Sequence, residues 1–203
     1  MLLIVDHSNR AYEHLALRSM FEARKRVFID LLKWDVPALA DRFELDQFDD
    51  IYANYLIVTD RAGQHLASAR LLPTVRPALL GSLYPDLADS RVPEGEDILE
   101  ITRFCLSPGI GARDRRVARD VLLVGLVEYA LANGVRTYIG VAELPWFRQI
   151  ERFGWDCRAL AEPKIHDGRA LVGLAIDVDA TTASKLAING ITGEAVLPPA
   201  AAA

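Results

Sequence analysis

The sequence predicts an α/β fold, a layered sandwich of helices on a mixed sheet. Three observations predict it. Short apolar runs bounded by turn residues read as strands, as in Asn54–Thr59 (NYLIVT) and Ile98–Leu106 (ILEITRFCL). Helical spacing of apolar residues recurs over 114–133, and Gly134 stands where a C-terminal cap belongs. The order of these segments is helix, strand block, then β-α-β-α-β. The chain has 203 residues, 51% hydrophobic and 25% charged, which suits a globular chain with its own core and excludes a disordered or fibrous one. There are 28 acids against 23 bases, a net charge of −5. A protein built around nucleic-acid binding would be basic, so none is expected as a partner.

Element by element, residues 11–31 read as a helix with Phe21, Arg24 and Phe28 on one face, which sets a guanidinium in an apolar stripe. Residues 35–50 are acidic and irregular. Asn54–Thr59 and 65–72 form a hairpin around Asp60-Arg61-Ala62-Gly63. Prolines 73, 77, 85 and 93 mark a loop-rich stretch. A strand at 98–106, a helix at 114–133, a strand at 137–142, a helix at 145–153 and a strand at 170–178 complete the pattern. Residues 1–180 are expected to form the domain and 181–203, ending VLPPAAAA, a partly flexible extension. The start MLLIVDHSNR lacks the basic residues and long apolar run of a secretory signal, and no run of 18 apolar residues occurs, so a cytoplasmic protein without membrane association is expected. Cys105 and Cys157 make neither a disulfide framework nor a zinc site, and no metal is expected.

Charged residues in apolar strands carry the functional signal. Glu100 and Arg103 lie within the strand 98–106, and Arg70 is flanked by apolar residues in the hairpin. Such charges are costly unless paired or used. Glu44, Asp46, Asp49 and Asp50 fall within seven residues, and their repulsion calls for a cation: Arg24, Arg70, Arg103 or a cationic ligand. Phe28 and Trp34, next to these acids, would suit an organic cation. The segment SPGIGARDRRVARD opens a helix with Arg113, Arg115, Arg116 and Arg119. A second basic set comprises Arg148, Arg152, Arg158 and Lys164, and two local patches on an acidic chain suit an acidic partner. The four histidines show no ligand spacing.

Five blocks in order, Phe21-x-x-Arg24-x-x-x-Phe28, Trp34, Glu44-x-Asp46-x-x-Asp49, Ala67–Thr74 (ASARLLPT) and Glu100-Ile101-Thr102-Arg103-Phe104, make the chain resemble acyl-homoserine lactone synthases of the LuxI type, from about residue 5 to residue 180. The resemblance implies a GNAT-like three-layer α-β-α sandwich with a mixed sheet. It also implies two substrates, S-adenosylmethionine and an acyl thioester on acyl carrier protein or coenzyme A, with no separate cofactor. The product is a quorum-sensing lactone, released with methylthioadenosine.

On that resemblance, Glu100, Arg103 and Arg70 are expected as catalytic residues, with Glu100 the base whose pKa burial would raise. Arg24, Phe28, Trp34, Asp46, Asp49, Arg103 and Phe104 are expected to bind S-adenosylmethionine: the rings wall the sulfonium, the aspartates take the ammonium or order the N-terminal lid, and Arg24 or Arg103 takes the carboxylate. Leu99, Ile101, Leu122, Leu126, Gly140 and Trp146 are expected to line the acyl pocket, and Arg148, Arg152 and Lys164 to dock the carrier. Many family members that prefer 3-oxo chains carry threonine where Gly140 stands, which hints at an unsubstituted or differently substituted chain. A GNAT-like acyltransferase acting on another amine, with Gly109–Ala112 as its pyrophosphate loop, is the alternative. The sequence leaves the oligomeric state open and gives Glu143 no role.

Overall fold

The computed structural model describes residues 1–193, so the Pro/Ala tail lies outside the described residues. Its strands are β1 (Leu2–Val5), β2 (Ala38–Leu39), β3 (Phe43–Glu44), β4 (Asn54–Thr59), β5 (His65–Pro73), β6 (Ile98–Leu106), β7 (Thr137–Glu143), β8 (Asp156–Ala159), β9 (Lys164–His166) and β10 (Arg169–Asp177). Its α-helices are α1 (His14–Arg24), α2 (Leu79–Leu83), α3 (Ala112–Ala132), α4 (Leu144–Glu151) and α5 (Thr182–Ile188). A π-helix (Lys25–Leu31) follows α1, and a 3-10 turn (Pro85–Leu87) follows α2. The chain divides into two compact units. Among the described residues the first is 1–70, 103–126 and 193; the second is 71–102 and 127–192.

In the first unit the strand order is β1-β4-β5-β6. Strand β1 runs antiparallel to β4, with Leu2 opposite Val58 and Val5 opposite Tyr55. All of β4 after Asn54 is buried, which its apolar composition requires. Helix α1 ends at Arg24, where the backbone widens into the π-helix and the Leu32 N–H donates to the Val27 carbonyl five residues back. The wider turn brings Ala23 and Phe28, five residues apart, into one buried cluster with Cys105. The sequence predicts a single helix over 11–31, and this change of pitch is the difference.

In the second unit β6 runs parallel to β7, with Glu100 opposite Ile139, and β7 runs antiparallel to β10, which also pairs with β8 and β9. Parallel and antiparallel pairings together make the sheet mixed, as the sequence predicts. Leu80, Leu87, Ile139 and Ala175 form a buried cluster there. The 73–97 stretch, predicted as loop, contains α2 and the 3-10 turn. Helix α5 lies within the predicted extension, and its Leu186 is fully buried. No helix of the described residues is long and apolar enough to cross a membrane.

Candidate active site: a buried ring of alternating charges

In the first unit, three arginines and three carboxylates close into a ring. Arg24 Nε donates to Glu44 Oε2 at 2.5 Å. Glu44 Oε1 accepts from Arg103 Nε at 3.0 Å and Nη2 at 2.9 Å. Arg103 Nη2 also donates to Asp46 Oδ2 at 2.8 Å. Asp46 takes a two-pronged grip from Arg70, at 2.6 and 3.0 Å. Arg70 Nη1 lies 2.9 Å from Asp49 Oδ1. Asp49 closes the ring with two bonds to Arg24, at 2.8 and 2.9 Å. The Tyr55 hydroxyl and the Asp46 backbone N–H add further bonds to Asp49, each 2.9 Å.

The six charges sum to zero, which makes such depth tolerable. The side chains of Arg24, Glu44 and Arg70 have no exposed surface and that of Asp49 has 1%, whereas Arg103 shows 7% and Asp46 5%. The ring therefore reaches the surface at Arg103 and Asp46. Burial pushes the Asp49 carboxyl up, but the hydrogen bonds and charge of Arg24, with Arg70 behind it, more than offset this and hold it well below the usual carboxylate range. Arg24 is held firmly protonated: burial disfavours its charge, and Asp49 and Glu44 outweigh that.

The sign of the resulting pH dependence follows. A depressed carboxyl stabilises the fold above its unfolded pKa of about 3.9 and loses that contribution as pH falls through the folded value. Urea midpoints measured from pH 7 down to 3 are expected to fall below about pH 5. The fall should be smaller in Asp49→Asn than in the wild type; an identical slope in the two would remove Asp49 as a source.

Arg24, Asp49 and Arg70, expected among the substrate-binding and catalytic residues, are buried and engaged with one another. Glu44, absent from the predicted site residues, bridges Arg24 and Arg103; its place in the Glu-x-Asp-x-x-Asp run was the available signal. Arg103 has φ +51, a left-handed conformation for a non-glycine residue in the middle of a strand. This is a local strain that strict alternation along β6 does not reveal.

Phe28 and Trp34 stack on each other at 4.7 Å between centroids and 20° between planes. The Arg103 guanidinium lies 5.5 Å from the Phe28 centroid and 5.9 Å from that of Trp34. Phe28 is core, packed with Ala23 and Cys105, while Trp34 remains half-buried. Phe104 is also half-buried. Burial pushes the Cys105 thiol up to about 12, so it is inert packing.

His65, which the sequence reading left without a role, staples the elements that carry the three arginines. Its backbone N–H donates to Ser19 Oγ on α1, and Ser107 Oγ, just past β6, donates to its carbonyl. The Ser107 proton is thus committed, so Nδ1–H donates to Ser107 Oγ at 2.7 Å, and Nε2 accepts from Ser68 Oγ at 2.8 Å. Burial, then the charges of Arg26 and Arg24, push the His65 pKa down to about 3, so the ring stays neutral at physiological pH.

In the second unit, Glu100 is fully buried and its Oε1 accepts the Leu80 backbone N–H at 2.9 Å, anchoring α2. It lines a pocket of about 370 Å³ walled by 74–78, Gly81 and Ser82, 92–94 and Ile139. None of the six predicted acyl-pocket residues lines this pocket. Leu122 and Leu126 are fully buried in the first unit; Leu99, Ile101, Gly140 and Trp146 lie in the second. A Cβ on Gly140 would stand 2.9 Å from the Ile101 carbonyl oxygen, so close backbone approach demands glycine there and threonine would force a shift. Arg148 and Arg152 are exposed. Lys164 is not a free docking cation: its amine donates to the Asp86 carbonyl and lies 3.6 Å from the Asp86 carboxylate. Glu143 pairs with Arg169 at 3.3 Å across β7 and β10.

The mixed sheet flanked by helices is that of GNAT-like acyltransferases. An acyl-CoA N-acyltransferase from Pseudomonas aeruginosa superposes over 86% of this chain and 97% of its own with a TM-score of 0.59, and at 18% identity it shows the fold alone. The autoinducer synthase family profile matches residues 7–186, and the chain belongs to that family. An acyl-homoserine-lactone synthase of Ralstonia nicotianae is 34% identical over 86% of this chain and 87% of its own. One of Rhizobium etli is 32% identical over 93% and 90%. The solved structure of MesI, a CoA-dependent acyl-homoserine lactone synthase, has a TM-score of 0.86 at 28% identity, covering 98% of this chain and all of its own. That of TofI, in a ternary complex with an inhibitor and MTA, has a TM-score of 0.78 at 30% identity, covering 92% and 96%. The chain is thus an acyltransferase, an acyl-homoserine-lactone synthase that makes a quorum-sensing autoinducer.

Proposed function

We propose that this enzyme acylates the α-amine of S-adenosylmethionine from an acyl thioester, then closes the homoserine lactone with loss of methylthioadenosine. One observation carries the reading: a neutral charge ring reaches the surface through one cation and one anion, Arg103 and Asp46, beside the aromatic pair Phe28–Trp34. S-adenosylmethionine offers the matching groups. Its carboxylate suits Arg103, its ammonium suits Asp46, and its sulfonium suits the half-buried indole of Trp34. Arg24, Glu44, Asp49 and Arg70 hold Arg103 and Asp46 in place.

The family resemblance makes Glu100 the base. It removes one proton from the α-ammonium, the freed amine attacks the thioester carbonyl, the N–C bond forms, and the C–S bond breaks as the second amine proton passes to the departing sulfur, which leaves as the free thiol. The substrate carboxylate then displaces methylthioadenosine from its own γ-carbon, a ring closure that needs a folded substrate more than a further catalytic group. S-adenosylmethionine is a substrate in this scheme, not a cofactor. Free thiol and methylthioadenosine should appear in equal amounts; thiol without methylthioadenosine would mean acyl transfer to another amine.

The acyl donor is an acyl thioester of coenzyme A or acyl carrier protein. MesI is by name CoA-dependent, which supports the first. The exposed Arg148 and Arg152 support docking of an acidic carrier protein. Reversing both charges (Arg148→Glu with Arg152→Glu) is expected to weaken carrier-protein binding in a salt-dependent way and to leave acyl-CoA turnover unchanged. Carrier affinity equal to wild type at low salt would remove this patch from the account.

A further inference from the structure

We infer that Arg10 is a positioning residue: it clasps the acidic loop so that Asp46 is held ready for the ammonium of S-adenosylmethionine, an inference that rests on the function proposed above. Residues 45–53 join β3 to β4 and carry Asp46 and Asp49. The first half of this loop is tied to itself and to the charge ring. The Asp46 N–H donates to Asp49 Oδ2 and the Phe48 N–H to Asp46 Oδ1, each at 2.9 Å. The second half has weaker internal support. The Ala53 N–H reaches the Asp50 carbonyl only at 3.4 Å, and Ile51 and Tyr52 are exposed.

Arg10 grips this second half. Its Nη1 donates to the Asp50 carbonyl at 2.7 Å and its Nη2 to the Ala53 carbonyl at 2.8 Å, so one planar fork spans both ends of the turn. The same guanidinium lies 5.4 Å from the centroid of the Tyr55 ring. Tyr55 in turn donates its hydroxyl to Asp49 Oδ1, and Asp49 Oδ2 takes the Asp46 N–H. A continuous run of contacts leads from Arg10 through Tyr55 and Asp49 to Asp46. Arg10 is itself presented by a fixed turn. The Asn9 amide donates to the Ile4 carbonyl on β1 at 2.8 Å and its oxygen accepts from the Asp6 N–H at 3.0 Å, while the Arg10 N–H closes on the Asp6 carbonyl at 3.0 Å. Arg10 Nε is out of water and has no acceptor among the described residues, so the side chain is committed to the loop at the cost of one buried donor. A loop already ordered spends less of the ligand's binding energy on being held, so the clasp acts on S-adenosylmethionine affinity and not on the chemistry that follows.

The test separates the two substrates. Arg10→Ala is expected to raise KM for S-adenosylmethionine about fivefold or more, and to leave kcat and the KM for the acyl thioester within about twofold of wild type. Arg10→Lys keeps the charge without the fork and should fall between. A general loss of packing would instead lower the melting point and the active fraction, and with them kcat, without separating the substrates. Amide hydrogen exchange in the absence of substrate reads the clasp directly: residues 46–53 should exchange faster in Arg10→Ala than in wild type. If Arg10→Ala melts below the assay temperature, the same comparisons are read from Arg10→Lys. An unchanged KM for S-adenosylmethionine in the folded variant, an equal rise in both KM values, or unchanged exchange across 46–53 overturns the inference. Wild type that consumes acyl thioester without binding S-adenosylmethionine overturns the proposed function instead, so the two failures are told apart.

Discussion

Arg24→Met is expected to unfold the protein more readily than any surface substitution, by about 3–5 kcal/mol. In a chain of this size that corresponds to a fall in melting temperature of roughly 6–20 °C. Arg24 makes three hydrogen bonds to carboxylates that lie out of water, two to Asp49 and one to Glu44. Methionine fills much of the volume but leaves the ring with one uncompensated negative charge. The penalty comes from that orphaned charge and not from the intrinsic worth of an ion pair, since buried pairs roughly break even against apolar replacements. The exposed pair Arg91–Glu94 makes the contrast: Arg91→Ala should shift stability by less than about 1 kcal/mol. Calorimetry of the two variants side by side reads both values. A melting point for Arg24→Met equal to that of Arg91→Ala would show that the ring does not hold the unit together.

Glu100→Gln is expected to lower turnover about 10²-fold or more, with little change in S-adenosylmethionine affinity. The substitution isolates the proton-accepting role. Glutamine keeps a carbonyl oxygen that can accept the Leu80 N–H, so α2 stays anchored and the pocket keeps its wall. Glu100→Ala removes both functions and should add a stability loss that Glu100→Gln lacks. Turnover of folded Glu100→Gln within about threefold of wild type would reject Glu100 as the base.

The strands were the most legible part of the fold. Asn54–Thr59 and Ile98–Leu106 declare themselves by apolar and β-branched runs that turn residues interrupt, and the structure gives them the same bounds. The short elements β1, β8, β9, α2 and α5 were not foreseen, because three to seven residues carry too little periodicity to separate from loop. The π-helix escaped for a different reason. A 3.6-residue reading keeps Phe21, Arg24 and Phe28 in phase, and only coordinates reveal that Ala23 and Phe28 share a face five apart.

The charge cluster was half legible. Acids crowded in sequence require cations, and Arg24, Arg70 and Arg103 were the candidates named for them. Which guanidinium meets which carboxylate depends on how α1, β5 and β6 are brought side by side, a long-range matter that local pattern does not encode. For the same reason the sequence could not distinguish charges that wait for a ligand from charges spent on each other. Gly140 carries a packing constraint that the sequence does not reveal: the nearby Ile101 carbonyl oxygen leaves little room for a side chain.

In the proposed reaction the amine and carboxylate of one S-adenosylmethionine molecule become the amide and ring ester of the product. The most direct measurement supplies S-adenosylmethionine labelled with carbon-13 throughout its aminobutyryl carbons, with an unlabelled acyl thioester, and follows the label by mass spectrometry. The account predicts the whole label in the lactone and none in methylthioadenosine. Labelled S-adenosylmethionine recovered intact while acyl thioester is consumed, or lactone without label, would contradict it.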